Sequence, residues 1–83
     1  MKEAKIIREF IVENFLFEED KNLKKDTSFL ENGIINSVGI LELVLFLEET
    51  FGFTVDDEEL IPENLDSIAN VVNYVQKKSG AQR

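Results

Sequence analysis

The sequence predicts an all-α fold: a small four-helix bundle with three longer helices, one short helix and a long first loop. Three observations predict it. Apolar residues recur at helical spacing in three separate stretches. No segment alternates apolar and polar residues for long enough to make a sheet. The chain has 83 residues and no cysteine, so one small core, packed from Ile, Leu, Val and Phe, must hold it without disulfides.

The first helix is expected over residues 3–17. Ile7, Phe10 and Ile11 share a face, with Ala4 and Ile6 at its edges and Glu3, Arg8, Glu9 and Glu13 on the polar side. Phe15, Leu16 and Phe17 form an apolar exit that tucks under the next segment.

Residues 18–35 show no long periodic pattern, and Glu18 to Lys25 is charged and solvated. A loop this long in a compact domain is usually functional or pinned by its own side chains. The expected pins are Leu23, Phe29, Leu30, Ile34 and Ile35, with Asp26-Thr27-Ser28 making a turn or a short cap. Asp20, Asn22, Asp26, Ser28 and Glu31 imitate the ligand spacing of a calcium loop. Lys24 and Lys25, however, stand where that loop needs an oxygen donor and a glycine, and their charge repels a cation. Metal binding is therefore not expected.

The second helix organises the chain. Asn36 suits its N-cap and Gly52 its left-handed stop. Ile40, Leu43, Val44, Leu47 and Phe51 share one apolar face. Each side chain fully buried there contributes roughly 1.5–3 kcal/mol before entropy is subtracted. Val38, Leu41 and Leu45 form a second apolar set, ringed by Glu42, Glu48 and Glu49. The pattern alone allows two readings of this set: a central helix buried on both sides, or a surface offered to a partner with a charged rim. Ser37, in the first turn, is most simply a polar surface residue. Its hydroxyl is also well placed for a phosphate ester, because free N–H groups and the helix dipole favour an anion there.

After Gly52, Phe53-Thr54-Val55 reads as an extended connector. Residues 56–61 make one or two helical turns with acids at the favourable end, and Pro62 ends them. Pro62 to Leu65 is then a turn with Leu65 facing in. Asp66 or Ser67 caps a last helix over about residues 67–78, with Ile68, Val71, Val72 and Val75 as its stripe and Tyr74 at the margin. Lys77 and Lys78 suit its C-terminal end, and residues 79–83 form a polar tail. The whole chain, 1–83, is taken as one domain, ordered from about residue 3 to residue 78.

Composition narrows the function. Nine Lys and Arg face seventeen Asp and Glu, a formal charge of −8, which argues against nucleic-acid binding and favours partners with basic patches. There is no histidine, so the usual general base and the commonest metal ligand are missing. No apolar run is long enough to span a membrane, and the polar N-terminus is no signal peptide; a cytoplasmic monomer is expected.

Asn36-Ser37-Val38, followed by Glu42-Leu43 and Leu47-Glu48-Glu49, resembles the acyl and peptidyl carrier proteins. In that family an Asp-Ser-Leu-like motif opens the second helix. Its serine carries a 4′-phosphopantetheine arm through a phosphodiester, and cargo rides on the arm's thiol as a thioester. Asp26-Thr27-Ser28-Phe29, Phe51-Gly52 before an acidic short helix, and Asp66-Ser67-Ile68 also match, so the resemblance covers about residues 3–78.

The resemblance implies that Ser37 is the modified serine, flanked by Asn36 and Val38. It implies that Val38, Leu41 and Leu45, with Glu42, Glu48 and Glu49, meet partner enzymes. Leu47, Phe51, Leu60, Ile61, Leu65 and Ile68 become candidates to line a cargo cleft, against plain core packing. The implied partners are a phosphopantetheinyl transferase, an acyl- or amino-acid-activating ligase, and synthases or transferases with basic docking patches. No catalysis by the chain itself is expected. The alternative is an unmodified helical module that docks through Val38, Leu41 and Leu45. Two positions depart from the family pattern. Asn36 stands where Asp is usual, and is read as a tolerated variant because Ser37 is retained. Gly39 stands where a polar residue is common, and costs a helix about 1 kcal/mol relative to alanine.

Overall fold

The computed structural model describes residues 2–16 and 23–81. Its elements are α1 (Lys2–Ile11), a π-helical turn (Val12–Leu16), α2 (Ser37–Phe51), a 3-10 turn (Asp57–Glu59), α3 (Pro62–Leu65) and α4 (Ile68–Ala81). Among the described residues there is no strand, and the all-α expectation holds.

In α1, Ile7 and Ile11 are fully buried one turn apart. The expected long first helix is regular only to Ile11. It then widens into the π turn, which brings Phe15 edge-on to Phe10 with centroids 5.9 Å apart, while Phe10 stacks on Phe46 of α2 at 4.0 Å. Phe17 lies outside the described residues, as do Asp20 and Asn22 of the calcium-like spacing. No metal-binding cluster of acids occurs among the described residues.

The loop from Leu23 to Ile35 is held from inside and from behind. Leu23, Phe29 and Ile35 are buried in the core. The N–H groups of Ile34 and Ile35 both donate to the Phe29 carbonyl, and Gly33 supplies the left-handed residue (φ 66°) that this tight turn needs. Leu30 departs from its expected role as a pin: its side chain is exposed. Behind the loop stands Asp66. Its carboxylate accepts from the Ser28 hydroxyl and from the Leu30 N–H (2.9 Å), and its carbonyl accepts from the Phe29 N–H (2.8 Å). Asp66 is thus the staple of the first loop, and Ser67 is the cap of α4, accepting from the Asn70 N–H at 3.1 Å.

Helix α2 starts and stops as its sequence predicts. Asn36 Oδ1 accepts from the Gly39 N–H at 2.8 Å, and Gly52 (φ 72°) donates to the Glu48 carbonyl at 3.0 Å. Leu43 and Leu47 are fully buried, with Ile40, Val44 and Phe51 half-buried beside them.

Two boundaries differ from expectation. Pro62 begins a helical turn rather than ending one: it sits at the first position of α3, where its missing N–H has no partner to lose. Helix α4 runs on to Ala81, so residues 79–81 of the expected tail are helical. Tyr74, expected at the margin, is only 3% exposed and meets Phe53 edge-on at 5.7 Å.

Candidate functional site

Ser37 is the first residue of α2 and is exposed. The N–H groups of the first helical turn have no intrahelical acceptor, and the dipole adds positive potential there. Asn36 satisfies one of these donors, that of Gly39. An anion esterified to the Ser37 hydroxyl would meet the remaining amides of the helix start, and exposure leaves room for a tether. The residues present therefore fit a phosphodiester at this position.

Ser37 also stands at the edge of a cleft of about 290 Å³. Ile40 and Leu41 of α2 form one wall, Leu60, Ile61 and Pro62 the other, and Leu30, Leu65 and Asp66 complete it. Its volume is at the small end of ligand pockets, and its lining is mainly apolar. Of the cleft candidates, Leu60, Ile61 and Leu65 line it. Leu47 and Ile68 are buried in the core and Phe51 packs half-buried against it, so these three are not part of the lining. Leu30, Ile40, Pro62 and Asp66 were missed. Ile40 belongs to the first apolar face of α2, and periodicity does not separate it from the core residues that share that face. Leu30 carried no signal, since it lies in a loop without periodicity.

Beside the cleft, Val38, Leu41 and Leu45 are 68%, 55% and 58% exposed, a contiguous apolar strip along α2. Of the two readings left open by periodicity, burial on both sides of α2 does not hold, because this set lies in solvent. Glu42 and Glu49 are exposed on the same helix. Glu48 is half-buried and already accepts from the Val55 N–H at 2.8 Å, so one of its oxygens serves the fold.

A second carboxylate holds the opposite wall. Glu59 Oε1 accepts from the Tyr74 hydroxyl (2.9 Å), the Lys78 ammonium (2.9 Å) and the Asp56 N–H (3.1 Å). The Lys78 contact first, then the Asp56 and Tyr74 donors, hold the Glu59 carboxyl below its ordinary value. Burial, then the Glu59 carboxylate, push the Tyr74 phenol well above its own. The Glu59 hydrogen bond likewise raises Lys78.

A helical bundle with an exposed serine at a helix start, next to an apolar cleft and an unpaired apolar strip, has the architecture of a carrier domain. Residues 7–75 match the family described as the phosphopantetheine attachment site. The chain is 39% identical over 74 residues to an acyl carrier protein of Akkermansia muciniphila, covering 89% of each chain. It is 33% identical over 75 residues to that of Bdellovibrio bacteriovorus (90% of this chain, 92% of the relative) and 37% over 71 residues to that of Campylobacter curvus (86% and 88%). The chain belongs to the acyl carrier protein family. It is a non-catalytic carrier whose prosthetic group is covalent 4′-phosphopantetheine.

Proposed function

We propose that Ser37 is the attachment residue and that the chain carries an acyl group to biosynthetic enzymes in the cytoplasm. The observation that carries this reading is the position of Ser37: exposed, first in α2 and at the edge of the apolar cleft. When attached, the arm supplies a thiol that holds cargo as a thioester. The chain's own part is presentation. An isolated serine is a weak nucleophile, and the chain has no histidine to activate it, so the base must come from a phosphopantetheinyl transferase. Asn36 keeps the helix start formed, and the first-turn amides stabilise the phosphodiester.

Val38, Leu41 and Leu45 are the contact strip for the transferase, for an activating ligase and for downstream synthases. Glu42 and Glu49 steer basic patches onto it, with Glu48 contributing less because it is partly engaged. The apolar lining favours an acyl chain over a polar aminoacyl cargo. Incubation with coenzyme A, magnesium and a broad-specificity transferase is expected to add the mass of one arm. Ser37→Ala should abolish the addition with unchanged helical circular dichroism. A wild-type chain that stays unmodified, yet binds a partner through Leu41, would instead support the unmodified docking module.

A further inference from the structure

The cleft has one wall inside a long helix and one wall on a short segment. Ile40 and Leu41 sit within the regular hydrogen bonding of α2. Leu60 and Ile61 sit between a 3-10 turn of three residues and a four-residue helix. Two local backbone bonds hold this second wall: Leu60 N–H to the Asp57 carbonyl at 3.2 Å and Ile61 N–H to the Glu59 carbonyl at 2.9 Å. Short elements are the ones that open first in a folded domain.

What ties this wall to the bundle is the side chain immediately before it. Glu59 Oε1 receives Tyr74 and Lys78, both from α4, and the backbone N–H of Asp56. Tyr74 is buried, so its end of the contact is fixed by core packing against Phe53. Bonds to a charged acceptor are the stronger kind, and here several converge on one oxygen. The Glu59 carbonyl also accepts from Asn64 Nδ2 (3.0 Å), and the Pro62 carbonyl from Asn70 Nδ2 (3.2 Å). The Glu59 carboxylate anchors the segment to α4 through charge at 2.9 Å, and the exposed Asp56 carboxylate adds only a longer contact to the same Lys78 ammonium, at 3.9 Å.

We propose that Glu59 is a positioning residue for cargo: by clamping the 3-10 turn to Tyr74 and Lys78, it fixes the Leu60–Ile61 wall and so sets how long an apolar chain the cleft shields. The proposal rests on the carrier reading above for its cargo, but not for the clamp. It makes Glu59 act through its neighbours, without touching cargo. A short chain that does not reach Leu60 and Ile61 is indifferent to the wall, while a longer one that packs against them depends on it.

The test has two arms. On the unmodified chain, amide hydrogen exchange is compared for wild type, Glu59→Gln and Glu58→Gln. Glu58 is an exposed neighbour, so its variant loses the same charge without the clamp. In Glu59→Gln, exchange at Leu60 and Ile61 should rise roughly fivefold more than at the amides of α1. Glu58→Gln should match wild type. In the second arm, the chains are loaded with butanoyl, octanoyl or dodecanoyl arms and the thioesters are exposed to hydroxylamine. Glu59→Gln should speed cleavage of the octanoyl thioester by a similar factor and leave butanoyl unchanged. Tyr74→Phe, which keeps the ring packing and removes one donor, should fall between.

Equal exchange at Leu60 and Ile61 in the two glutamine variants would overturn the clamp. Equal acceleration for every chain length would overturn its role in cargo length. A chain that fails to load counts against Ser37 as the attachment site, while the exchange arm still decides the clamp.

Discussion

Gly39→Ala is the sharpest test of the packing around the serine. Helix propensity alone predicts a gain of up to about 1 kcal/mol, since alanine is the best helix former and glycine among the worst. The structure predicts the opposite sign. A Cβ at Gly39 would lie 2.8 Å from Ile35 Cγ2 and 2.9 Å from Phe15 Cε1. Carbon atoms rest at about 3.5 Å or more, so both neighbours would have to retreat by roughly 0.6–0.7 Å. Neither is free to do so. Ile35 is buried, and Phe15 packs on Phe10, itself stacked on Phe46. Overpacking of this kind costs about 1–3 kcal/mol, which outweighs the propensity gain. The net loss is about 1 kcal/mol, or roughly 4–8 °C in Tm for a domain of this size. Urea and thermal unfolding followed by circular dichroism would measure it. Phe15→Ala should relieve one of the two clashes, so that Gly39→Ala costs less in that background than in wild type. A more stable Gly39→Ala chain would refute the argument and reduce Gly39 to an ordinary helix defect.

Asp66→Ala removes the acceptor of the Ser28 hydroxyl and the Leu30 N–H, and should cost about 1–3 kcal/mol in urea unfolding, with faster amide exchange at Leu30. Asn36→Ala loses the cap on the Gly39 N–H and should cost about 1 kcal/mol, whereas Asn36→Asp keeps the cap, adds a charge that the helix start favours, and should be at least as stable as wild type by the same assay. The Glu59 carboxyl is held below its ordinary value of 4.5, so the folded state favours its ionised form. Its contribution is complete above that ordinary value and is lost as pH falls through the lowered folded value. The stability advantage of wild type over Glu59→Gln, taken from urea midpoints across an acid series, should therefore shrink in that window; an advantage constant with pH would contradict the Glu59 hydrogen bonds.

Local spacing was enough for what is local. The apolar repeat of α1, α2 and α4, the Asn36 cap and the Gly52 stop all follow from the periodicity and terminal chemistry of single helices. Ser37 was legible as a candidate for the same reason, because a helix start is written in its own few residues. Local chemistry also misled at Pro62: the restriction that proline places on its predecessor suggested a stop, while its fixed geometry in fact opens α3.

Tertiary structure alone decided the rest. Both apolar sets of α2 look alike in sequence, and only the approach of the other elements buries Leu43 and Leu47 while leaving Val38, Leu41 and Leu45 in solvent. Asp66 meets Ser28 across 38 residues, and Glu59 meets Tyr74 and Lys78 across 15 and 19. The need for glycine at position 39 arises from a ring and a methyl group brought in from outside α2. Periodicity sets which way a side chain points from its own helix axis. What it meets there depends on the distance and rotation between elements, and the packing of the whole core sets those together.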